Sequence, residues 1–174
     1  MGSSRGRGVY VTEKDPEVPS LGRGANLHRI CTYAHLRDRE TGQELTHYNT
    51  HLDHESQLAR SNGTTLILDR LEDDSTAVIL TGDFNYLSTS SGYKAITEDR
   101  FVDARKAADE SESYGTVNYF VPERDTKLVI DYVFVDDERF DTKSYRVDHA
   151  ATFDDKPVSD HYPLIVDLEM RVQD

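Results

Sequence analysis

The chain has 174 residues, with 33 acidic side chains against 20 basic ones, a net charge of −13 and one cysteine, Cys31. That length suits one domain with a core of its own, a lone cysteine excludes a disulfide framework and any Cys-pair zinc or redox site, and no apolar run approaches the roughly 20 residues of a membrane span. The acidic balance argues against gripping a polyanion. However, Asp outnumbers Glu 21 to 12 and Arg outnumbers Lys 14 to 6, a pattern like that of proteins adapted to high salt. At molar salt the screening length falls to about 3 Å, so charge would then report habitat rather than substrate. An ordinary acidic protein is the competing reading.

In chain order, MGSSRGRG reads as a flexible tail over 1–8, carries no apolar signal core, and precedes a single domain over 9–174. A cytoplasmic location is the expectation. Val9 to Val11 forms a short strand, and His28 to His35 alternates as a second. RETGQ turns at Thr41-Gly42, and Glu44 to Leu52 returns as a third, antiparallel to the second. Its period of two places His47, Asn49, His51 and Asp53 on one face. Ser56 to Leu71 carries Ala59, Gly63, Leu66, Ile67 and Leu71 at helical spacing, with Asp53 at the N-cap position. Ala77 to Leu80 is a buried strand ending in TGDFN, followed by a short helix from Tyr93 to about Glu98. Val129 to Val135 (VIDYVFV) is the most strand-like run, with Asp131 as an acid in its middle, and Tyr162 to Met170 is the last strand. Strands mixed with helices, some in hairpins, predict a layered α/β (α+β) fold of mixed strand direction.

Polar groups interrupt the strongest strands: His51 and Asp53 in NTHLDH, Asp83 and Asn85 in TGDFN, and Asp160-His161 before the last strand. Sheets bind ligands where strand ends and loops converge, so one shared site is the economical explanation. Each signal alone has a structural alternative. Asp83 suits a turn cap and His51 a hydrogen-bonded histidine, while a zinc site at HLDH lacks a third ligand at a recognisable spacing. Asp131 needs a donor or a cation, and His161 is a natural partner. His47 and His54 read as surface or packing residues.

Taken in order, NTHLDH, TGDFN, IDYVFV and SDHYP resemble the endonuclease/exonuclease/phosphatase superfamily, the deoxyribonuclease-like metal-dependent phosphoesterases. The likeness runs from about Gly8 to the C-terminus, and RICTYAHLRDRETG is most similar to an uncharacterised bacterial and archaeal branch, with Tyr33 replacing a usual tryptophan. The resemblance implies an α/β/β/α sandwich of mixed-direction sheets and hydrolysis of phosphoester bonds with Mg²⁺ or Mn²⁺. It implies that Asp83 orients or deprotonates the attacking water, that Asn85 holds a phosphate oxygen and that His51 contacts the scissile phosphate. His161 would be the acid/base, held by Asp131, and Asp160 would sit beside the metal or bind it together with Asp83. Asn49 and Arg29 are further candidate substrate contacts. The substrate classes so implied are nucleic acids, phosphorylated small molecules and lipid headgroups.

The strand asparagine and the metal-binding glutamate that open full members of the superfamily have no match here. Glu13 aligns with a later segment and is not a candidate ligand. The chain therefore looks like the C-terminal two-thirds of a domain, short by about 100 residues, the size of a small domain. The missing N-terminal segment would be needed to complete the site. The alternative function is a non-catalytic, truncated remnant that binds phosphate ligands.

Overall fold

The computed structural model describes residues 6–11, 18–98, 100–150 and 152–171. Glu13 lies outside them. The first strand, β1 (Gly6–Tyr10), pairs antiparallel with β2 (Ile30–Arg37), which pairs antiparallel with β3 (Glu44–His51). β1 thus begins inside the stretch expected to be a tail, because pairing with β2 from Gly6↔Ala34 satisfies its backbone. The β2–β3 turn is held by Asp38, whose carboxylate accepts from the backbone N–H groups of Glu40 and Thr41 and from the Thr41 hydroxyl. Gly42 supplies the positive φ of 75°.

The helix α1 (Gln57–Glu72) crosses over to β4 (Ala77–Asp83), which lies parallel to β3, a pairing that requires such a connection. Its N-cap is Ser56, whose hydroxyl accepts from Ala59 N at 3.1 Å, rather than Asp53. Asp53 instead holds the preceding turn, accepting from Glu55 N and Ser56 N at 2.8 and 2.9 Å. Then come α2 (Ser91–Thr97), β5 (Phe101–Asp103), α3 (Ala104–Ala107), β6 (Glu110–Ser111), β7 (Asp131–Asp136) and β8 (Phe140–Val147). A small hairpin, β9 (Thr152–Phe153) with β10 (Lys156–Pro157), leads to β11 (Leu164–Met170). The larger sheet has the order β1-β2-β3-β4-β7-β5, and β11-β8-β6 form a second.

The larger sheet buries residues on both faces. Val78 and Leu80 of β4, with Tyr132 and Phe134 of β7, pack with Ile67 and Leu71 of α1 and Tyr93 and Ile96 of α2. The alternate residues Ala77, Ile79 and Val135 pack with Phe140, Leu168 and Met170 of the second sheet. This period-two division accounts for the continuous apolar runs in β4 and β7. Arg100 ties the far end together. Its guanidinium pairs with the buried carboxylate of Asp136 at 2.8 Å and donates to the carbonyls of Leu71, Asp74 and Thr76. Among the described residues no helix is long and apolar enough to cross a membrane.

Candidate active site

Strand register builds the site. β3 pairs His51 with Asp83 of β4, and β4 pairs Asp83 with Asp131 of β7, so three chemically active side chains occupy one row at the sheet's end. Asp131 is therefore the first residue of β7 rather than the middle of a buried strand. The Thr116 hydroxyl accepts from the backbone N–H of Ile130 and Asp131, which draws the chain out of the ladder there. His161 joins from the loop before β11 through an antiparallel bridge with Val117.

The order of residues in TGDFN now has a physical cause. Gly82 has a φ of 149°, and a Cβ there would sit 1.9 Å from the Thr50 carbonyl oxygen, so the close approach of β3 and β4 requires glycine. Asp83 Oδ1 accepts from Asn85 N at 2.8 Å, the turn-cap role open to it from sequence, while Oδ2 faces the histidines. Asn85 takes the left-handed conformation, φ 52°, and its Nδ2 donates to the Leu52 carbonyl at 3.0 Å.

These residues open onto a cavity of about 830 Å³ lined by Arg29, His51, His54, Asp83, Asn85, Asp131, Asp160 and His161, with Tyr119 and Ser159 on its wall. His161 Nδ1 donates to Asp131 Oδ2 at 2.8 Å, which leaves Nε2 as the nitrogen directed elsewhere, 3.9 Å from Asp83 Oδ2. His51 Nε2 lies 3.3 Å from the same oxygen. The hydrogen bond to Asp131 raises the His161 pKa, more than burial lowers it. Burial pushes the Asp83 carboxyl up, helped by the Asp131 charge, and pushes the His51 imidazole down. The site thus sets one imidazole favoured as a cation, His161, and one favoured neutral, His51, beside the Asp83 carboxylate.

Arg29 is the only Lys or Arg among the described cavity residues, and its buried Nε has no hydrogen-bond partner. Its Nη2 lies 3.2 Å from His54 Nδ1, and His54, read from sequence as a surface or packing residue, is exposed and also lines the cavity. The adjacency of His54 to NTHLD was the available signal. Asn49 donates to Thr81 Oγ1 at 2.8 Å and lines a neighbouring hollow of about 180 Å³ that shares Arg29 and His51 with the main cavity. Ser159 of the SDHYP motif and Thr116, which the sequence did not single out, position the site: Ser159 Oγ accepts from His161 N at 3.1 Å.

Asp83, Asp131 and His161 present ligand atoms within 4.8 Å of one another and could hold a metal ion; Asp160, expected to pair with Asp83, is not in that group. Two of the three already share the His161–Asp131 bond. Asp83 is thus the carboxylate free for a hard cation, whose remaining positions would fall to water and substrate oxygens. Mg²⁺ accepts that kind of shell, because it keeps several waters and takes one or two carboxylates.

A mixed α+β fold of two main sheets with a His/Asp cluster at the strand ends defines the type of protein that comparison with known proteins identifies. The chain belongs to the endonuclease/exonuclease/phosphatase family, whose model matches residues 6–161. A mannosyl-6-phosphatase from Bacteroides thetaiotaomicron is 31% identical with a TM-score of 0.87, the match covering 95% of this chain and 66% of that one. A family protein from Bacteroides vulgatus is 28% identical with a TM-score of 0.83, covering 96% and 65%. The human Nocturnin catalytic domain, at 18% identity and a TM-score of 0.69, covering 96% and 59%, shares the fold. The chain thus spans just under two thirds of the length of the two Bacteroides proteins. No curated protein matches it.

Proposed function

We propose that the protein is a divalent-metal-dependent phosphoester hydrolase, completed by an N-terminal segment that supplies the rest of the metal shell. The observation that carries the reading is the row His51, Asp83, Asp131 with His161 bonded to Asp131 at 2.8 Å, all open to one cavity. A phosphoester resists attack because it is an anion, so hydrolysis needs neutralised charge, a positioned water and a protonated leaving oxygen. Bound Mg²⁺ or Mn²⁺, held by Asp83 and Asp160, would supply charge neutralisation.

The chain's own groups perform the remaining tasks. Asp131 fixes the His161 tautomer and favours its imidazolium, so that Nε2 delivers a proton to the leaving oxygen. Asp83 orients the attacking water and takes up its proton. Neutral His51, the second N–H of Asn85 and the Arg29 guanidinium receive phosphate oxygens. Asn49 bridges β3 to β4 through Thr81 and reaches substrate from the neighbouring hollow. With Arg29 the one guanidinium among the described cavity residues, the favoured substrate is a phosphorylated small molecule. The Bacteroides thetaiotaomicron relative, a mannosyl-6-phosphatase by name, supports that class.

The alternative, a phosphate-binding remnant without turnover, is favoured by one observation: Asp83 alone among the three clustered groups is free for a cation. The test is turnover of p-nitrophenyl phosphate and bis(p-nitrophenyl) phosphate with Mg²⁺ or Mn²⁺ at molar KCl, by the chain alone and by the chain joined to its upstream coding sequence. EDTA-sensitive turnover by the joined form, abolished by His161→Ala, supports hydrolysis. Turnover absent in both, with phosphate binding retained, establishes the remnant.

A further inference from the structure

Three consecutive apolar residues stand out in so acidic a chain: Tyr119, Phe120 and Val121 are 53%, 62% and 44% exposed. Tyr119 lines the cavity itself. Single exposed apolar residues need no explanation, but an exposed ring lining a cavity beside candidate catalytic groups does. The backbone adds a second observation. Tyr119 and Phe120 have φ of 54° and 61°, a left-handed conformation that is an outlier for bulky side chains.

The strain is held in place by the site. Asn118 is fully buried, its Oδ1 accepts from Phe120 N at 2.6 Å, and its carbonyl accepts from Val121 N. The backbone N–H groups of Asn118 and Tyr119 both donate to the carbonyl of Asp160, so the turn is built on the residue next to His161. The Arg124 guanidinium sits 5.3 Å from the Tyr119 ring centroid, which fixes the ring's attitude. Tyr114 of the same loop behaves differently. It stacks on His149 at 4.5 Å and meets Tyr162 edge-on, so it is a packing residue.

We propose that Tyr119 is a specificity-determining residue: the flat face of a ring next to the phosphate, an aryl or base ring or the C–H face of a sugar, lies against it. This rests on the phosphoesterase reading and extends it to a ring-bearing phosphomonoester. Stacking on an aromatic face is tolerant of ring identity, because any ring offers a flat apolar surface. One guanidinium among the described cavity residues matches one phosphate rather than a polyanionic strand.

The experiment titrates the wild-type chain with ethyl phosphate, phenyl phosphate and mannose 6-phosphate by NMR, in EDTA to prevent turnover. Tyr119→Gly removes the ring while relieving the left-handed strain, so the fold is kept, and Tyr119→Phe retains the ring. Wild type should prefer at least one ring-bearing phosphate over ethyl phosphate by about tenfold, in the range of one stacking contact. Tyr119→Gly should collapse that preference to within twofold and Tyr119→Phe should retain it. Comparing the phenyl and sugar arms identifies the ring. A wild-type preference near one, or one that survives in Tyr119→Gly, overturns the role of Tyr119 while leaving the phosphoesterase reading intact. Tighter binding of a short oligonucleotide than of every monophosphate overturns the substrate class. Failure of all three phosphates to bind also overturns the role of Tyr119, the phosphoesterase reading being decided separately by metal-dependent turnover of the joined form.

Discussion

Replacing Gly82 by alanine should be among the most damaging small changes in the chain. The new Cβ would lie 1.9 Å from the Thr50 carbonyl oxygen, and the residue would keep a φ of 149° that L-residues rarely adopt. The backbone strain costs roughly 1–3 kcal/mol. Relief of the clash must come from backbone, since the obstacle is a carbonyl, so β3 and β4 must part locally, and one or two weakened ladder bonds add about 0.5–1.5 kcal/mol each. The sum is about 1.5–6 kcal/mol, which for a domain of this size lowers the melting temperature by about 3–24 °C. Gly42→Ala is the control, because its φ of 75° is also positive but its Cβ would meet only the tip of the Arg37 side chain at 3.5 Å. That change should cost about 1–2 kcal/mol. Far-UV circular dichroism melts of both variants at one KCl concentration make the comparison. A Gly82→Ala protein that melts no lower than Gly42→Ala would refute the close approach that positions Asp83.

Arg100→Ala should destabilise by about 3–5 kcal/mol, since it leaves the Asp136 carboxylate buried without its partner; urea melts measure this, and a loss under 1 kcal/mol would contradict it. If the Asp- and Arg-rich composition is a salt adaptation, the melting temperature should climb from low to molar KCl as carboxylate repulsion is screened, and a flat or falling trend would return the composition to coincidence. Burial raises the Asp74 carboxyl, but hydrogen bonds from Thr76, Tyr48 and Thr46 outweigh it and set the folded pKa below the ordinary value. Its stabilisation is then present above the unfolded pKa of about 3.9 and lost as pH falls through the folded value. Asp74→Asn should accordingly weaken the fold at pH 7 and lose that effect in strong acid, as pH-dependent urea melts would show.

The motifs were legible in the sequence because four short strings of unusual chemistry fall in a fixed order, and the alternation of apolar residues located β2, β3, β4 and α1 to within a few residues. The row His51–Asp83–Asp131 was not legible, because it depends on register between strands up to 80 residues apart. Asp131 was displaced into a strand by the continuous apolar run around it, when the Thr116 hydroxyl, remote in sequence, ends the ladder at that point. β8 escaped notice for a different reason. Its buried positions run Phe140, Thr142, then Tyr145, Val147, a change of phase where the pairing with β11 slips at Asp167/Leu168, so period-two alternation fails across the irregularity. Tyr119 and Phe120 could not be told from packing aromatics such as Tyr114 until their exposure was known.

The pair at the centre of the site is tested most directly by measuring the His161 imidazole pKa by NMR in the wild-type chain and in Asp131→Asn. The Asp131 hydrogen bond and charge should hold the wild-type value above the ordinary 6.5, and Asp131→Asn should bring it down. Because the folded pKa is the raised one, the pair's contribution to stability is complete below the unfolded value and fades as pH rises through the folded value, so Asp131→Asn should destabilise the protein more at pH 5 than at pH 9. A wild-type value at or below 6.5, or the same value in both proteins, would contradict the assignment of His161 as a proton donor held by Asp131.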